Sequence, residues 1–377
     1  MTLVVKLGSS LVVDEAGRAR RSQLAALASE VATLKRLGER VCIVSSGAIA
    51  LGLPRLGLSR RPRATTRLQA ASAAGQARLQ AAWNAALATE GLEAAQVLLT
   101  APDLAQRASY VNVRNALEEL LKLGLVPIVN ENDATATDEI TFGDNDALAA
   151  QVAVLVRARL LVLLTEVDGV YSEHPAEPGA RHLADGAETH EVRPGRPSSA
   201  GRGGMESKIA AARLASAAGI PTVIASGKGQ DVLVPLVGGK GRGTRFTPTS
   251  TPTSAFKLWL RYAKPAAGRL VLDAGAHRAL VADGRSLLAV GVAECDGEFV
   301  AGDAVELVAP DGVVFGKGLA SAAAAEVRGR PRGIEAVHRD RLVLYDESEP
   351  TRSGGRVIAP SEAEETSAAY FASTPDS

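Results

Sequence analysis

Two clusters of oxygen ligands stand close together in the chain. Asn130-Glu131-Asn132-Asp133 follows the apolar run Val126-Pro127-Ile128-Val129, and Gly143-Asp144-Asn145-Asp146 comes shortly after; Lys6 and Lys208 lie far away on either side. Carboxamides and carboxylates can hold a polar substrate, and separate ammonium groups can meet the charge that spreads over a moving phosphoryl. Acidic side chains alone would repel nucleotide phosphates, so lysine or a divalent cation such as Mg2+ belongs to this reading. The competing reading is that Asp144 and Asp146 only form turns or a helix cap, which aspartate does readily.

Four loops add to the pattern. Lys6-Leu7-Gly8-Ser9-Ser10 leaves the first apolar run with a glycine that clears space for an anion; it is not a Walker sequence, and a plain strand-to-helix turn would look the same. Ser45-Ser46-Gly47-Ala48-Ile49-Ala50 repeats the arrangement, with free amides and a hydroxyl at a helix start, or simply a serine cap. Thr165-Glu166-Val167-Asp168-Gly169-Val170-Tyr171 can border a base and ribose, or be a turn ahead of a core tyrosine. Gly201-Arg202-Gly203-Gly204-Met205-Glu206-Ser207-Lys208 is a glycine-rich entry to a helix that can bring Lys208 to a phosphoryl, or a flexible connection carrying a solvated lysine. No close nucleophile, histidine and carboxylate set competes. His174, His182 and His190 have no spacing that establishes a zinc site and read as loop residues.

The elements that must hold these loops read as α/β. Runs at 3–7, 41–45, 97–100, 126–130, 160–165 and 222–226 have almost no polar alternation, as strands covered on both faces do. Between them Leu24, Leu27, Val31 and Leu34 mark one helical face, and Leu68, Leu79, Trp83 and Leu87 another. This predicts a mainly parallel sheet with ligands gathered at the carboxyl ends of its strands. Residues 173–204 lack sustained periodicity and read as a long excursion at the domain edge. The Thr- and Pro-rich stretch 247–253 closes the first domain, 1–253, and 254–267 reads as a linker. Short runs at 270–273, 287–290, 305–308 and 313–316 then predict a small mostly β domain over 268–346, and 347–377 reads as a loosely attached tail.

Composition sets limits. The chain has 377 residues, 46% hydrophobic and 22% charged, enough for more than one core. Lys+Arg and Asp+Glu both number 42, so no global field draws it to nucleic acid or anionic lipid. Cys42 and Cys295 are too few for a disulfide scaffold, the N-terminus lacks a signal-peptide pattern, and the richest apolar stretch, 152–167, is broken by Arg157 and Arg159. A cytoplasmic protein without a membrane span is expected.

In these motifs the chain resembles the amino-acid kinase family, and within it the glutamate 5-kinases that carry an appended PUA domain. Val5-Lys6-Leu7-Gly8-Ser9-Ser10, Ser45-Ser46-Gly47-Ala48-Ile49-Ala50, Ile128-Val129-Asn130-Glu131-Asn132-Asp133, Gly143-Asp144-Asn145-Asp146, and Gly203-Gly204-Met205 followed by Lys208 occur in family order. The resemblance implies an amino-acid kinase sandwich followed by a PUA-like domain, with ATP, Mg2+ and L-glutamate as reaction partners. It implies Lys6 and Lys208 as the catalytic cations, and Asp146 as their organiser. Ser46, Gly47, Asn130, Asp133 and Asn145 become substrate-binding positions. Lys6, Gly8, Thr165, Glu166 and residues Arg202, Gly203, Gly204, Met205, Glu206, Ser207 and Lys208 become nucleotide-binding ones, and no side chain is assigned as a direct metal ligand. It also implies proline as feedback inhibitor, a homo-oligomer, and a functional link to a glutamate-5-phosphate reductase. Two positions depart from the family pattern: Glu166, often Asp, extends the reach of the charge, and Arg202, often Thr, adds charge beside the nucleotide. Acetylglutamate and aspartate kinases are the rival readings within the family. A rival of another class, an RNA-binding accessory protein built on the PUA-like domain, lacks a conspicuous basic and aromatic stripe, aromatic content being 3%.

Overall fold

The computed structural model describes residues 1–135, 145–192, 204–248, 257, 260–261 and 266–345. Strand β1 (Thr2–Leu7) leads through Gly8 into the short helix α1 (Ser9–Val12) and then α2 (Arg21–Arg36). β2 (Arg40–Ser45), α3 (Ala48–Gly52), α4 (Thr65–Ala88), β3 (Ala94–Leu99), α5 (Ala101–Ala105), α6 (Arg107–Lys122) and β4 (Val126–Glu131) follow. Next come α7 (Asn145–Leu155), β5 (Leu160–Thr165), β6 (Val170–Tyr171), β7 (His182–Leu183), α8 (Met205–Ala217), β8 (Thr222–Ser226), α9 (Leu233–Val237) and β9 (Thr244–Phe246).

The main sheet runs β3-β4-β2-β1-β5-β8-β9, parallel throughout except for the edge pair β8–β9. Strand alternation splits its side chains between two cores. Leu3, Val5, Leu7, Val41, Ile43, Val126 and Ile128 meet α2, α4 and α9 through Leu24, Leu27, Leu79, Trp83 and Leu236. Val4, Cys42, Val44, Val129, Leu161 and Leu163 meet α6, α7 and α8 through Leu117, Leu148, Val152, Ile209 and Ala212. Both sheet faces are covered, which is why these strands read as unbroken apolar runs. The alternation also places Lys6 on the face of Val4, toward α7 and α8. Asn130 lies on the face of Ile128, toward α4.

Later in the chain comes a second, mostly β unit with the strand order β11-β15-β14-β13-β10-β12. It comprises β10 (Ala266–Leu272), β11 (Leu287–Leu288), β12 (Val292–Gly297), β13 (Ala304–Val308), β14 (Val314–Ala320) and β15 (Glu335–Leu344) around its own core. The β12 and β15 strands were not expected. β12 is an edge strand whose side chains are mostly exposed, and β15 carries the polar middle His338-Arg339-Asp340-Arg341, so neither shows an apolar run. Leu260 packs on Ala304, Leu319 and Val343, Arg261 stacks 4.6 Å from the centroid of the Tyr345 ring, and Lys317 Nζ donates to the Arg261 carbonyl at 3.2 Å. Within the span read as an irregular excursion, β7 pairs antiparallel with β6 and a 3-10 turn covers Gly186–Glu191, so part of it is ordered. These elements are too short to show periodicity. Residues 193–203 and the segment 347–377 fall outside the described residues. Among the described residues no helix is long and apolar enough to cross a membrane.

Candidate active site

The site gathers at the carboxyl ends of β1, β2, β4 and β5, which end level because Leu7 pairs with Ser45 and Leu164, and Val44 with Val129. One half is cationic. Asp146, in the first turn of α7, is fully buried, and its two oxygens take different lysines: Lys6 Nζ lies 2.5 Å from Oδ1 and Lys208 Nζ 3.1 Å from Oδ2. Ser207 Oγ also donates to Oδ2 at 3.0 Å and is 3.0 Å from the Gly204 carbonyl, closing the start of α8. Lysine is rarely buried unless paired, and a carboxylate at a helix N-terminus is favoured by the backbone dipole. One carboxylate therefore holds two ammonium groups, brought from β1 and α8, at the edge where an anion can approach.

The other half is built from amides and hydroxyls. Asn145 precedes Asp146 but turns the opposite way: its Nδ2 donates to Ser46 Oγ at 2.7 Å and to Asn130 Oδ1 at 2.9 Å. Asn130 Nδ2 donates to Gln76 Oε1 at 2.9 Å, and Ser72 Oγ donates to Asp133 Oδ2 at 2.6 Å. Burial pushes the Asp133 carboxyl above its ordinary pKa, although the Ser72 hydrogen bond and the field of Arg61 pull the other way. Such a carboxylate gains from any cation delivered to it.

The Ser46 loop is held from behind. Gly47 sits at φ +117°, where an L side chain is strained, and a Cβ there would lie 2.9 Å from Val13 Cγ2. α3 then runs so close to α4 that a Cβ on Gly52 would fall 1.8 Å from the Ala71 carbonyl oxygen, and one on Gly75 1.8 Å from that of Ala48. Trp83 Nε1, from the same α4, donates to Ser45 Oγ at 2.9 Å.

The described positions among those read as nucleotide-binding follow at the neighbouring edge. Among the described residues a Cβ built on Gly8 would have only the Leu164 carbonyl oxygen in reach, at 4.0 Å. Thr165 ends β5; Glu166, half exposed, pairs with Lys228 at 3.4 Å. Asp168 accepts from the Tyr171 hydroxyl at 2.7 Å and pairs with Arg242 Nε at 2.7 Å. Burial pushes the Asp168 pKa up, but the Tyr171 hydrogen bond and the Arg242 charge, with its backbone bond, bring it below the ordinary value. Met205 packs on the second core and Glu206 is exposed in the first turn of α8. Gly143, Asp144, Arg202 and Gly203 lie outside the described residues. His182 packs edge-on against Tyr171 with centroids 5.3 Å apart, and His174 Nδ1 accepts from the Ala176 amide, both loop contacts. Among the described residues no group of three or more His, Cys, Asp or Glu side chains is placed to hold a metal ion.

Sequence reasoning missed Ser72 and Gln76. Both fall on the α4 face marked by Leu68, Leu79 and Trp83, and polar residues inside an apolar stripe were the available signal.

Comparison with known proteins agrees with this architecture. The profile of the amino acid kinase family matches residues 1–226, and that of the PUA domain residues 268–339. The chain is 46% identical over 362 residues to the glutamate 5-kinase of Sphingopyxis alaskensis, covering 91% of this chain and 97% of that one. It is 46% identical over 350 residues to the glutamate 5-kinase of Anaeromyxobacter dehalogenans, covering 91% and 92%. Against that of Ralstonia nicotianae it is 44% identical over 361 residues, covering 91% and 96%. The chain belongs to the amino acid kinase family: it is an ATP-dependent phosphotransferase whose α/β kinase fold is followed by a PUA domain.

Proposed function

We propose that the chain transfers the γ-phosphoryl of ATP to the side-chain carboxylate of L-glutamate, giving L-glutamate 5-phosphate and ADP, the first step of proline biosynthesis. The observation that carries this is the divergence of two consecutive residues: Asp146 gathers Lys6 and Lys208, while Asn145 gathers Ser46 and Asn130. A phosphoryl held by the ammonium pair would thus sit beside an acceptor held by the amides. A carboxylate oxygen attacks the γ-phosphorus, the new O–P bond forms as the bond to the β-phosphate bridge breaks, and the electron pair leaves on ADP. The nucleophile is already ionised at neutral pH, so no general base is needed. Lys6 and Lys208 stabilise charge as it moves from γ- to β-oxygens, and Asp146 keeps both ammonium groups in place beforehand.

Asp133 supports a free amino acid as acceptor. Its carboxyl is disfavoured in ionised form by burial, and an α-ammonium would relieve that. N-acetylation of the substrate would abolish the pairing. Mg2+ fits as a companion of the nucleotide: both Asp146 oxygens face cations, and such ions are commonly bound through phosphate oxygens and water. When bound it offsets phosphate charge, and no described side chain is assigned to it. We place the enzyme in the cytoplasm as a homo-oligomer with proline competing at the glutamate site; saturating proline that left the glutamate dependence unchanged would reject that regulation. We divide the chain into 1–253, 254–267, 268–346 and 347–377, and an active soluble fragment ending at residue 253 would support the first boundary.

The test is turnover of L-glutamate with ATP and Mg2+, reading ADP release together with acyl phosphate trapped as hydroxamate. ADP without hydroxamate would mean hydrolysis of ATP and would overturn the assignment.

A further inference from the structure

α4 presents Ser72, Gln76, Leu79 and Trp83 along one face, and its three polar members each reach a different part of the acceptor half: Asp133, Asn130 and Ser45. Gln76 is the one whose effect propagates. A carboxamide has one acceptor oxygen and one donor nitrogen, so a bond between two carboxamides couples the orientation of one to that of the other. Gln76, only 8% exposed, accepts from Asn130 Nδ2; that leaves Asn130 Oδ1 to accept from Asn145 Nδ2, whose other proton goes to Ser46 Oγ. The chain runs one way, and Ser46 is its terminal acceptor. The hydroxyl proton of Ser46 is therefore left to point at whatever lies in front of it.

Reversing the chain has a definite consequence. With Asn130 turned over, its nitrogen would face Asn145, which would have to present its oxygen there and toward Ser46. Ser46 would then donate inward, and a carboxylate in front would meet a lone pair instead of a proton. Both ends of the relay are referenced to the same helix pair, because α3 carries the Ser46 loop and is locked to α4 through Gly52 and Gly75.

We propose that Gln76 is a positioning residue: acting through Asn130 and Asn145, it holds the Ser46 hydroxyl as a hydrogen-bond donor to the acceptor carboxylate. This rests on the reading of the amide half as the acceptor site. Gln76→Leu removes the acceptor oxygen, Ser46→Ala removes the hydroxyl, and the double variant closes a cycle, with kcat and both KM values measured in the full-length chain. Gln76→Leu is expected to raise the glutamate KM about tenfold, the scale of one net hydrogen bond. The ATP KM should stay within about twofold, and Gln76→Leu should add no more than about twofold to the glutamate KM in the Ser46→Ala background. If thermal melting shows that Gln76→Leu does not fold, Gln76→Met, closer in length, takes its place in the cycle. Effects that multiply independently, an equal rise in the ATP KM, or an unchanged glutamate KM would overturn the proposal. Should the parent protein ignore glutamate, the acceptor reading fails by itself. The same cycle with the carboxylate that is turned over then decides the role of Gln76.

Discussion

Asp146→Asn nearly preserves volume and removes one charge from the centre of the cationic half. The parent carboxylate is fully buried between Lys6 and Lys208, whose side chains are 5% and 9% exposed. An asparagine offers one oxygen and one NH2 group, so one ammonium would keep an acceptor while the other faced a donor. The local charge would rise from +1 to +2 in a largely buried cluster. Breaking a buried pair by removing one partner costs about 3–5 kcal/mol, which for a domain of this size lowers Tm on the order of 10 °C. Losing one aligned electrostatic contact in the transition state costs about 3–4 kcal/mol, or roughly 10²–10³ in rate. The expected result is a folded variant with lower Tm, a kcat down by about 10³ and a glutamate KM changed far less. Hydroxamate-coupled kinetics and thermal unfolding measure these together. A variant that melts lower but retains parental kcat would show that Asp146 only holds the fold, and the chemical argument would be refuted.

Lys6→Ala and Lys208→Ala are each expected to lower kcat by roughly 10²–10³, whereas Asn145→Ala should chiefly raise the glutamate KM, a split read from the same steady-state kinetics. Asp133→Asn should raise the glutamate KM yet increase stability at neutral pH: the native carboxyl has a raised pKa, so its ionisation removes stability as pH rises from the ordinary carboxylate value through the raised one. The gap in Tm between variant and parent should open across that window and close below it. Gly75→Ala puts a methyl 1.8 Å from the Ala48 carbonyl oxygen, forcing α3 and α4 apart at a cost of about 1–3 kcal/mol or more. It should lower Tm and raise the glutamate KM through the Ser46 loop; unchanged values of both would contradict the close approach.

The sheet was legible because its strands are covered on both faces, so residues such as Val4, Val5, Ile43 and Val44 appear as unbroken apolar runs. Lys6 and Asp146 stood out because each is a charge at the end of such a run or beside a turn. That they meet is not written locally: 140 positions separate them, and only the placement of α7 over β1 joins them. Gln76 and Ser72 were hidden for a different reason. A polar residue inside an amphipathic stripe looks like a flaw in the period until the partner across the interface is known, here Asn130 and Asp133. The β12 and β15 strands failed the apolar criterion through exposure and through the charged middle of β15.

The central claim is that the amide half accepts a free α-amino acid while the cationic half handles the phosphoryl. Its most direct test compares kcat/KM for L-glutamate, N-acetyl-L-glutamate and L-aspartate at one concentration of ATP and Mg2+, with the acyl phosphate trapped as hydroxamate in each case. L-glutamate is expected to be phosphorylated with the highest kcat/KM, and N-acetylation, by removing the ammonium from Asp133, to lower it by at least about tenfold. Equal or greater efficiency with N-acetyl-L-glutamate or L-aspartate would contradict the claim.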